Sequence, residues 1–231
     1  MRDFIVQWLT QITAPFWQSS LSIDQFVTAL QETFQMVFFS LLFGCIWGLI
    51  QGITLVVTRT GGILQNRAIY YVLNPLVNAL RSLPFIILLI AVIPLTKILV
   101  GTSIGTWAAI VPLTIYVGPY LGRLIETSLL EVNEGIIESA QAMGANPWQI
   151  IVKFVIPEAR SSFILNLTTG TITLIGATAM AGAVGAGGIG DLAISYGYQR
   201  FDTSVVILTV IVLLLLVQLV QMLGDWLAKL R

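Results

Sequence analysis

Consecutive charged residues stand unusually far apart in this chain, and that spacing limits its fold more than any other feature. No Asp, Glu, Lys or Arg occurs in 33–58, between Glu32 and Arg59; in 98–122, between Lys97 and Arg123; in 161–190, between Arg160 and Asp191; or in 203–224, between Asp202 and Asp225. A hydrocarbon core of about 30 Å is crossed by about 20 apolar helical residues, so each gap can hold one transmembrane helix. A fifth crossing is expected at roughly 72–95. Arg81 interrupts it, but Leu83 to Leu95 is apolar and the chain must return across the bilayer between the first and third spans.

Composition agrees. Hydrophobic residues make up 57% of the 231 and charged residues 10%, with a mean hydropathy of +0.92. Soluble domains carry about 25% charged residues, and a core of this size cannot hide so much apolar surface from water. Eleven Lys and Arg balance eleven Asp and Glu, which gives no reason to expect nucleic acid. The single Cys45 cannot form an internal disulfide, and the absence of histidine excludes imidazole metal sites and His-assisted nucleophiles. The fold class is therefore all-α, a polytopic membrane helical bundle of about five spans.

The expected spans are 33–58, 72–95, 105–127, 161–183 and 203–225, within one membrane domain over 27–225 and followed by a short tail, 226–231. Residues 1–26 do not read as a cleaved signal, because Asp3 follows Arg2 and Gln7, Gln11 and Gln18 interrupt the apolar stretch. Phe4, Trp8, Phe16 and Trp17 suit the headgroup region, so this segment is expected to lie at the external interface. Positive residues are retained in the cytoplasm. If the first span runs inward, Arg59, Arg67, Arg81, Arg123, Lys153, Arg160, Lys229 and Arg231 fall inside, against Arg2, Lys97 and Arg200 outside. This places the amino terminus outside and the carboxyl terminus in the cytoplasm, and makes 124–160 the longest internal loop.

Local physics predicts a shape for that loop. Glu131 to Met143 has no Pro and, Gly135 apart, is rich in helix formers, and Gly144 can adopt the left-handed conformation that ends a helix. Asn146 is a good N-cap and Pro147 suits the first helical position, so a second helix should run from there to Pro157. Trp148, Ile151, Val152 and Val155 are expected on one of its faces. Glu126, Glu131, Glu134, Glu138 and Glu158 make the loop acidic, which is either a plain solvated face or, for Glu126, Glu134 and Glu138, a surface for a basic partner.

Glu138-Ser139-Ala140-Gln141-Ala142-Met143-Gly144, nine further residues and Phe154-Val155-Ile156-Pro157 resemble the "EAA" loop of bacterial ABC importer permeases. Ser139, Phe154 and Ile156 depart from that pattern, but its spacing is intact. The resemblance implies a cytoplasmic coupling helix within 131–157 that sits in a cleft of an ATPase subunit, with Glu138, Ser139, Ala140, Gly144 and Pro157 as coupling residues. A narrower likeness, over about 27–225, is to the MetI-type permeases of methionine importers. It is carried by Arg81-Ser82-Leu83-Pro84-Phe85-Ile86-Ile87-Leu88-Leu89, Gly101-Thr102-Ser103-Ile104-Gly105, Ala108-Ala109-Ile110-Val111-Pro112-Leu113-Thr114 and Ala183-Val184-Gly185-Ala186-Gly187-Gly188-Ile189-Gly190. That likeness implies a bacterial inner or cytoplasmic membrane, a second copy of the chain, a MetN-like ATPase subunit and a MetQ-like external binding protein that delivers methionine, L- and in some cases D-.

Gly185 to Gly190 satisfies the dinucleotide fingerprint literally, but that motif functions between a strand and a helix, and here it follows a membrane stretch. Gly185, Gly187 and Gly188 instead permit close helix approach and a bend, or line the external end of a path. No Gly-Lys-Ser or Gly-Lys-Thr occurs, so no cofactor is expected on this chain and ATP is left to a partner subunit. Arg81, about nine residues into its span, either snorkels to the interface or serves as a cavity-lining or gating group next to the helix-weakening Pro84. Pro94, Pro112 and Pro119 are candidate kinks in spans two and three. Two rivals stay open at this level, an ion-coupled secondary transporter of small solutes and a membrane scaffold subunit, and within the importer class the alternative is a permease for another small amino acid. The first usually shows internal repeats and intramembrane acids, and neither is evident within the four charge-free gaps.

Overall fold

The computed structural model describes residues 21–230, so the interfacial reading of Phe4, Trp8, Phe16 and Trp17 lies outside the described residues. Every regular element among those residues is helical. They are α1 Ile23–Thr58, α2 Arg67–Ser82, α3 Phe85–Val100, α4 Thr106–Leu130, α5 Glu134–Ala142, a composite α6 Pro147–Glu158, α7 Arg160–Gly182, α8 Gly188–Leu192, continued by a π-helical turn over Ala193–Tyr198, and α9 Thr203–Lys229. α1, α4, α7 and α9 are each long and apolar enough to cross a membrane, and α2 with α3, taken as one broken span, brings the number to five. α1 begins ten residues before the expected 33, because the amphipathic stretch after Ser22 joins the apolar run without a breaker. α4 likewise outruns its charge-free gap, so Arg123 and Glu126 lie inside a membrane helix.

The expected 72–95 span is not one helix. Leu83 takes an extended conformation (φ −75°, ψ 128°) and Pro84 follows it, so α2 ends at Ser82 and α3 starts at Phe85. A residue before proline is pushed out of the α region, which explains where the break falls. Pro94, Pro112 and Pro119, by contrast, are carried within unbroken α3 and α4.

The described chain falls into two compact units. The first comprises the described residues up to Ser40, Phe85–Leu113 and Thr173–Leu219; the second comprises Leu41–Pro84, Thr114–Ile172 and Val220 onward. In the first unit, Leu21, Ala29, Leu192 and Val205 form a buried cluster with Phe26, Tyr196 and Leu208 packed on it. Met36, Leu88, Leu113 and Ile189 are almost completely buried, and Phe39 packs its ring 5.1 Å from that of Trp107.

The second unit is built on glycine. Gly44, Gly48 and Gly52 repeat every four residues along α1 and meet Gly118 and Gly122 of α4. A Cβ at Gly48 would lie 3.0 Å from the Gly118 carbonyl oxygen and 3.0 Å from the Gly122 nitrogen; one at Gly52 would lie 2.6 Å from the Gly122 oxygen. Residues four apart share a helix face, so this spacing brings backbone against backbone, a contact that only glycine allows. Outward faces stay apolar. Leu214, Leu215, Leu219, Met222 and Leu223 of α9 are all well exposed, as a helix surrounded by lipid requires.

Candidate functional site

The loop after α4 is shaped by its caps. Asn133 accepts the Gly135 N–H at 2.8 Å and starts α5. At the other end the Gly144 N–H donates to the Gln141 carbonyl (2.9 Å) and the Ala145 N–H to the Ala140 carbonyl (3.0 Å), the paired pattern of a Schellman stop. Gly144 has φ +77° and nothing within 4 Å of where a Cβ would be, so the turn demands its backbone conformation rather than its small size. Two residues later Asn146 and Gln149 form a reciprocal capping box, with bonds of 2.9 and 3.0 Å, around Pro147 at the helix start.

α6 then departs from expectation. It is α-helical over Pro147–Gln149, widens to π geometry over Ile150–Val155 and returns to α geometry at Ile156–Glu158. It ends one residue past Pro157, at Glu158. A proline ring clashes with the carbonyl four residues earlier and offers no N–H, and the wide turn just before it, in which the Ile156 N–H reaches the Ile151 carbonyl, is where the helix accommodates that. The wide turn also rephases the side chains. Ile150, Ile151 and Val155 are buried, whereas Trp148 is 71% exposed and Val152 is 40% exposed, so the expected four-residue face is split.

Ala140 is completely buried and anchors α5, and the Ser139 hydroxyl donates to the Gly135 carbonyl at 2.6 Å. Glu138 is exposed and lines a cavity beside Arg59 and Glu134. At the tip, Met143 is 68% exposed, so that with Trp148 two apolar side chains flank Gly144 with nothing covering them. Glu131 is bound back to the Ser162 hydroxyl of α7. Glu126 is not part of a solvated acidic surface. It is 4% exposed and ion-paired to Arg123 at 2.5 Å, while the other terminal nitrogen of Arg123 donates to Asn74 (2.6 Å) and Asn78 (2.5 Å) of α2. Asn74 and Asn78 are four apart and so share one face of α2.

The path candidates fall into two places. Arg81 occupies the last turn of α2, not the middle of a continuous span, and there the helix dipole favours a cation. Its guanidinium lies 5.7 Å from the centre of the Tyr120 ring, and its Nε is buried without an acceptor. Pro84 stands in the break itself. Gly185, Gly187 and Gly188, each near φ +81°, form the turn that leads into α8. That turn is held by α1: the Glu32 carboxylate accepts the Gly188 N–H at 2.7 Å, and the Thr33 hydroxyl accepts the Ile189 N–H at 2.9 Å. A Cβ at Gly188 would lie 2.7 Å from the Thr33 hydroxyl oxygen. Sequence reasoning used Glu32 only as the edge of a charge-free gap; its partner is 156 residues away, and nothing local signals the pairing. No cluster of His, Cys, Asp or Glu suited to a metal occurs among the described residues.

Comparison with known proteins places these features. Residues 44–230 match the family described as binding-protein-dependent transport system inner membrane component. A probable D-methionine transport system permease protein MetI from Vibrio cholerae is 45% identical over 210 residues, 91% of this chain and 93% of that protein. Its counterpart from Pasteurella multocida is 46% identical over 198 residues, 86% of this chain and 91% of that one. A chain from inward-facing conformations of the MetNI methionine ABC transporter superposes with a TM-score of 0.89 at 43% identity, covering 92% of this chain and 98% of its own. With the family matched over most of its length, and with relatives this similar end to end, the chain belongs to the binding-protein-dependent transport system inner membrane components and is a MetI-type ABC transporter permease.

Proposed function

We propose that the chain forms the transmembrane path for methionine in an ATP-driven importer and that its α5–α6 loop is the element through which an ATPase subunit drives it. The observation that carries this reading is the tip of that loop. A rigidly capped turn presents Met143 and Trp148 uncovered, with Glu138 and Ser139 exposed one turn away. An apolar pair held on a stiff support is the form a docking knob takes, and uncovered apolar groups of this kind mark interaction sites. Glu138, Ser139, Ala140, Gly144 and Pro157 act as its coupling residues. Ala140 and Gly144 set the shape, Glu138 and Ser139 meet the partner, and Pro157 accompanies the wide turn that aims α6.

The working assembly is two copies of the chain, two MetN-like ATPase subunits that bind and hydrolyse the ATP, and a MetQ-like binding protein outside. Relatives named for D-methionine transport and a solved neighbour named as a methionine transporter support this cargo. Arg81 and Pro84, at the end of α2, and the Gly185–Gly188 turn, pinned by Glu32, each serve as gating elements. Proteoliposomes holding the chain, its ATPase and its binding protein should accumulate methionine only when ATP is supplied on the ATPase side. Accumulation by the chain alone under an ion gradient would favour the secondary-transporter reading, and sustained ATP hydrolysis by the isolated chain would overturn the division of labour.

The amino terminus lies outside and the carboxyl terminus inside, on the balance of Arg and Lys. Cysteines introduced near Arg200 should react with an impermeant maleimide in intact cells and those near Gly144 should not; labelling at Gly144 would reverse the orientation.

A further inference from the structure

Within the second unit a cavity of about 430 Å3 opens between the end of α1 and the α5–α6 loop, inside the range of about 300–1,000 Å3 usual for small-molecule sites. Its wall is mostly aliphatic, Leu129 and Ile151 included, and it carries three charged side chains, Arg59, Glu134 and Glu138, together with the amide of Gln141. Arg59 makes no ion pair with either glutamate of its own cavity. Glu126, the other carboxylate on which Arg59 acts, is already held by Arg123. The Nε of Arg59 is buried without an acceptor. That nitrogen has given up hydration without gaining a partner, which is costly unless a ligand supplies one.

We propose that this cavity binds a small zwitterion, an oxyanion and an ammonium group joined to a short apolar body, with the oxyanion on Arg59 and the ammonium on Glu134. The charges exclude the simpler ligands. A plain anion meets two carboxylates, a plain cation meets the guanidinium, and a purely apolar molecule leaves all three charged groups unanswered. A free amino acid and a phosphoethanolamine headgroup share the required chemistry, and the aliphatic wall suits the side chain of one or the first acyl carbons of the other. The inference rests on the cavity alone, so its failure would leave the ATPase-coupling reading untouched.

The test uses the full chain purified in detergent, with Cys45→Ala and Gln141→Cys placing one thiol on the cavity wall. L-methionine and phosphoethanolamine are titrated separately, each alongside analogues lacking the ammonium or the negative charge. At least one zwitterion should bind saturably and slow maleimide labelling at position 141, with single-charge analogues weaker by about tenfold or more, as expected for loss of one charge-assisted contact. Arg59→Gln should weaken binding by a similar factor, and Arg59→Lys, which keeps the charge and guards against a folding artefact, should restore most of it. Protection by L-methionine identifies a free amino acid as the ligand; protection by phosphoethanolamine, with phosphatidylethanolamine retained in native mass spectra of wild type but not of Arg59→Gln, identifies a lipid headgroup. The proposal fails if neither zwitterion protects the thiol, if single-charge analogues bind equally well, or if Arg59→Gln binds like wild type.

Discussion

Gly52→Leu is expected to abolish the monodisperse, folded protein. A Cβ there would lie 2.6 Å from the Gly122 carbonyl oxygen and 2.8 Å from Ile125, before the remaining atoms of leucine are placed. Overpacking a core usually costs about 1–3 kcal/mol because side chains shift. Here the obstacle is the backbone of α4, so relief requires the two helices to separate along the whole Gly44–Gly48–Gly52 contact, and the cost should exceed that range. Gly176→Ala is the matched control. It lies within α7 with nothing inside 4 Å of a built Cβ, and helix propensity favours alanine by about 1 kcal/mol. Size-exclusion profiles and melting temperatures of the two variants decide the matter. If Gly52→Leu melts with wild type, α1 and α4 do not pack through their glycines.

The second large effect is expected at Arg123. Its guanidinium answers the buried Glu126 carboxylate and both Asn74 and Asn78. Arg123→Met leaves that carboxylate without its ion-pair partner, a loss of about 3–5 kcal/mol. Replacing both partners by apolar groups of similar size can be nearly neutral, so Arg123→Met with Glu126→Leu should recover much of the lost stability. Denaturation midpoints of the two single variants and the double variant form a closed cycle. Additive losses would mean that the pair is not coupled. The two asparagines stay unpartnered in the double variant, so recovery should be incomplete.

What could be read in advance was whatever depends on neighbours in the chain. The long charge-free stretches define an all-helical membrane bundle without further help, and the turn at Gly144 follows from residues within five positions of it. The break at Leu83 and Pro84 was visible as a weakening but not as the end of a helix, because proline is carried without a break at 94, 112 and 119. The end of α6 fell within a residue of Pro157, but the π turn at Ile150–Val155 was not legible, because it depends on how α6 packs its buried Ile150, Ile151 and Val155. The charged groups were the least legible. Arg123 is 49 residues from Asn74 and Glu32 is 156 from Gly188, so spacing along the sequence carries no trace of either pairing. The α1–α4 contact lay between these extremes, since both glycine series were written in the sequence but their facing each other was not.

The central claim, that the α5–α6 loop transmits the work of an ATPase, is tested most directly at Gly144. Its φ of +77° sits in open space, so substitutions there act through backbone conformation alone. Asparagine tolerates the left-handed region and a β-branched residue does not. Gly144→Asn should therefore transport methionine nearly as wild type, whereas Gly144→Val, at about 1–2 kcal/mol of backbone strain, should tilt α6 and uncouple the two machines. Glu138→Lys should do the same through charge, with the fold intact. The measurement is the ratio of methionine taken up to ATP hydrolysed by the reconstituted complex. The account predicts a collapse of that ratio, or loss of the ATPase on purification, for Gly144→Val and Glu138→Lys but not for Gly144→Asn, all three being expressed and inserted normally. Wild-type ratios in Gly144→Val and Glu138→Lys would show that coupling runs through some other part of the chain.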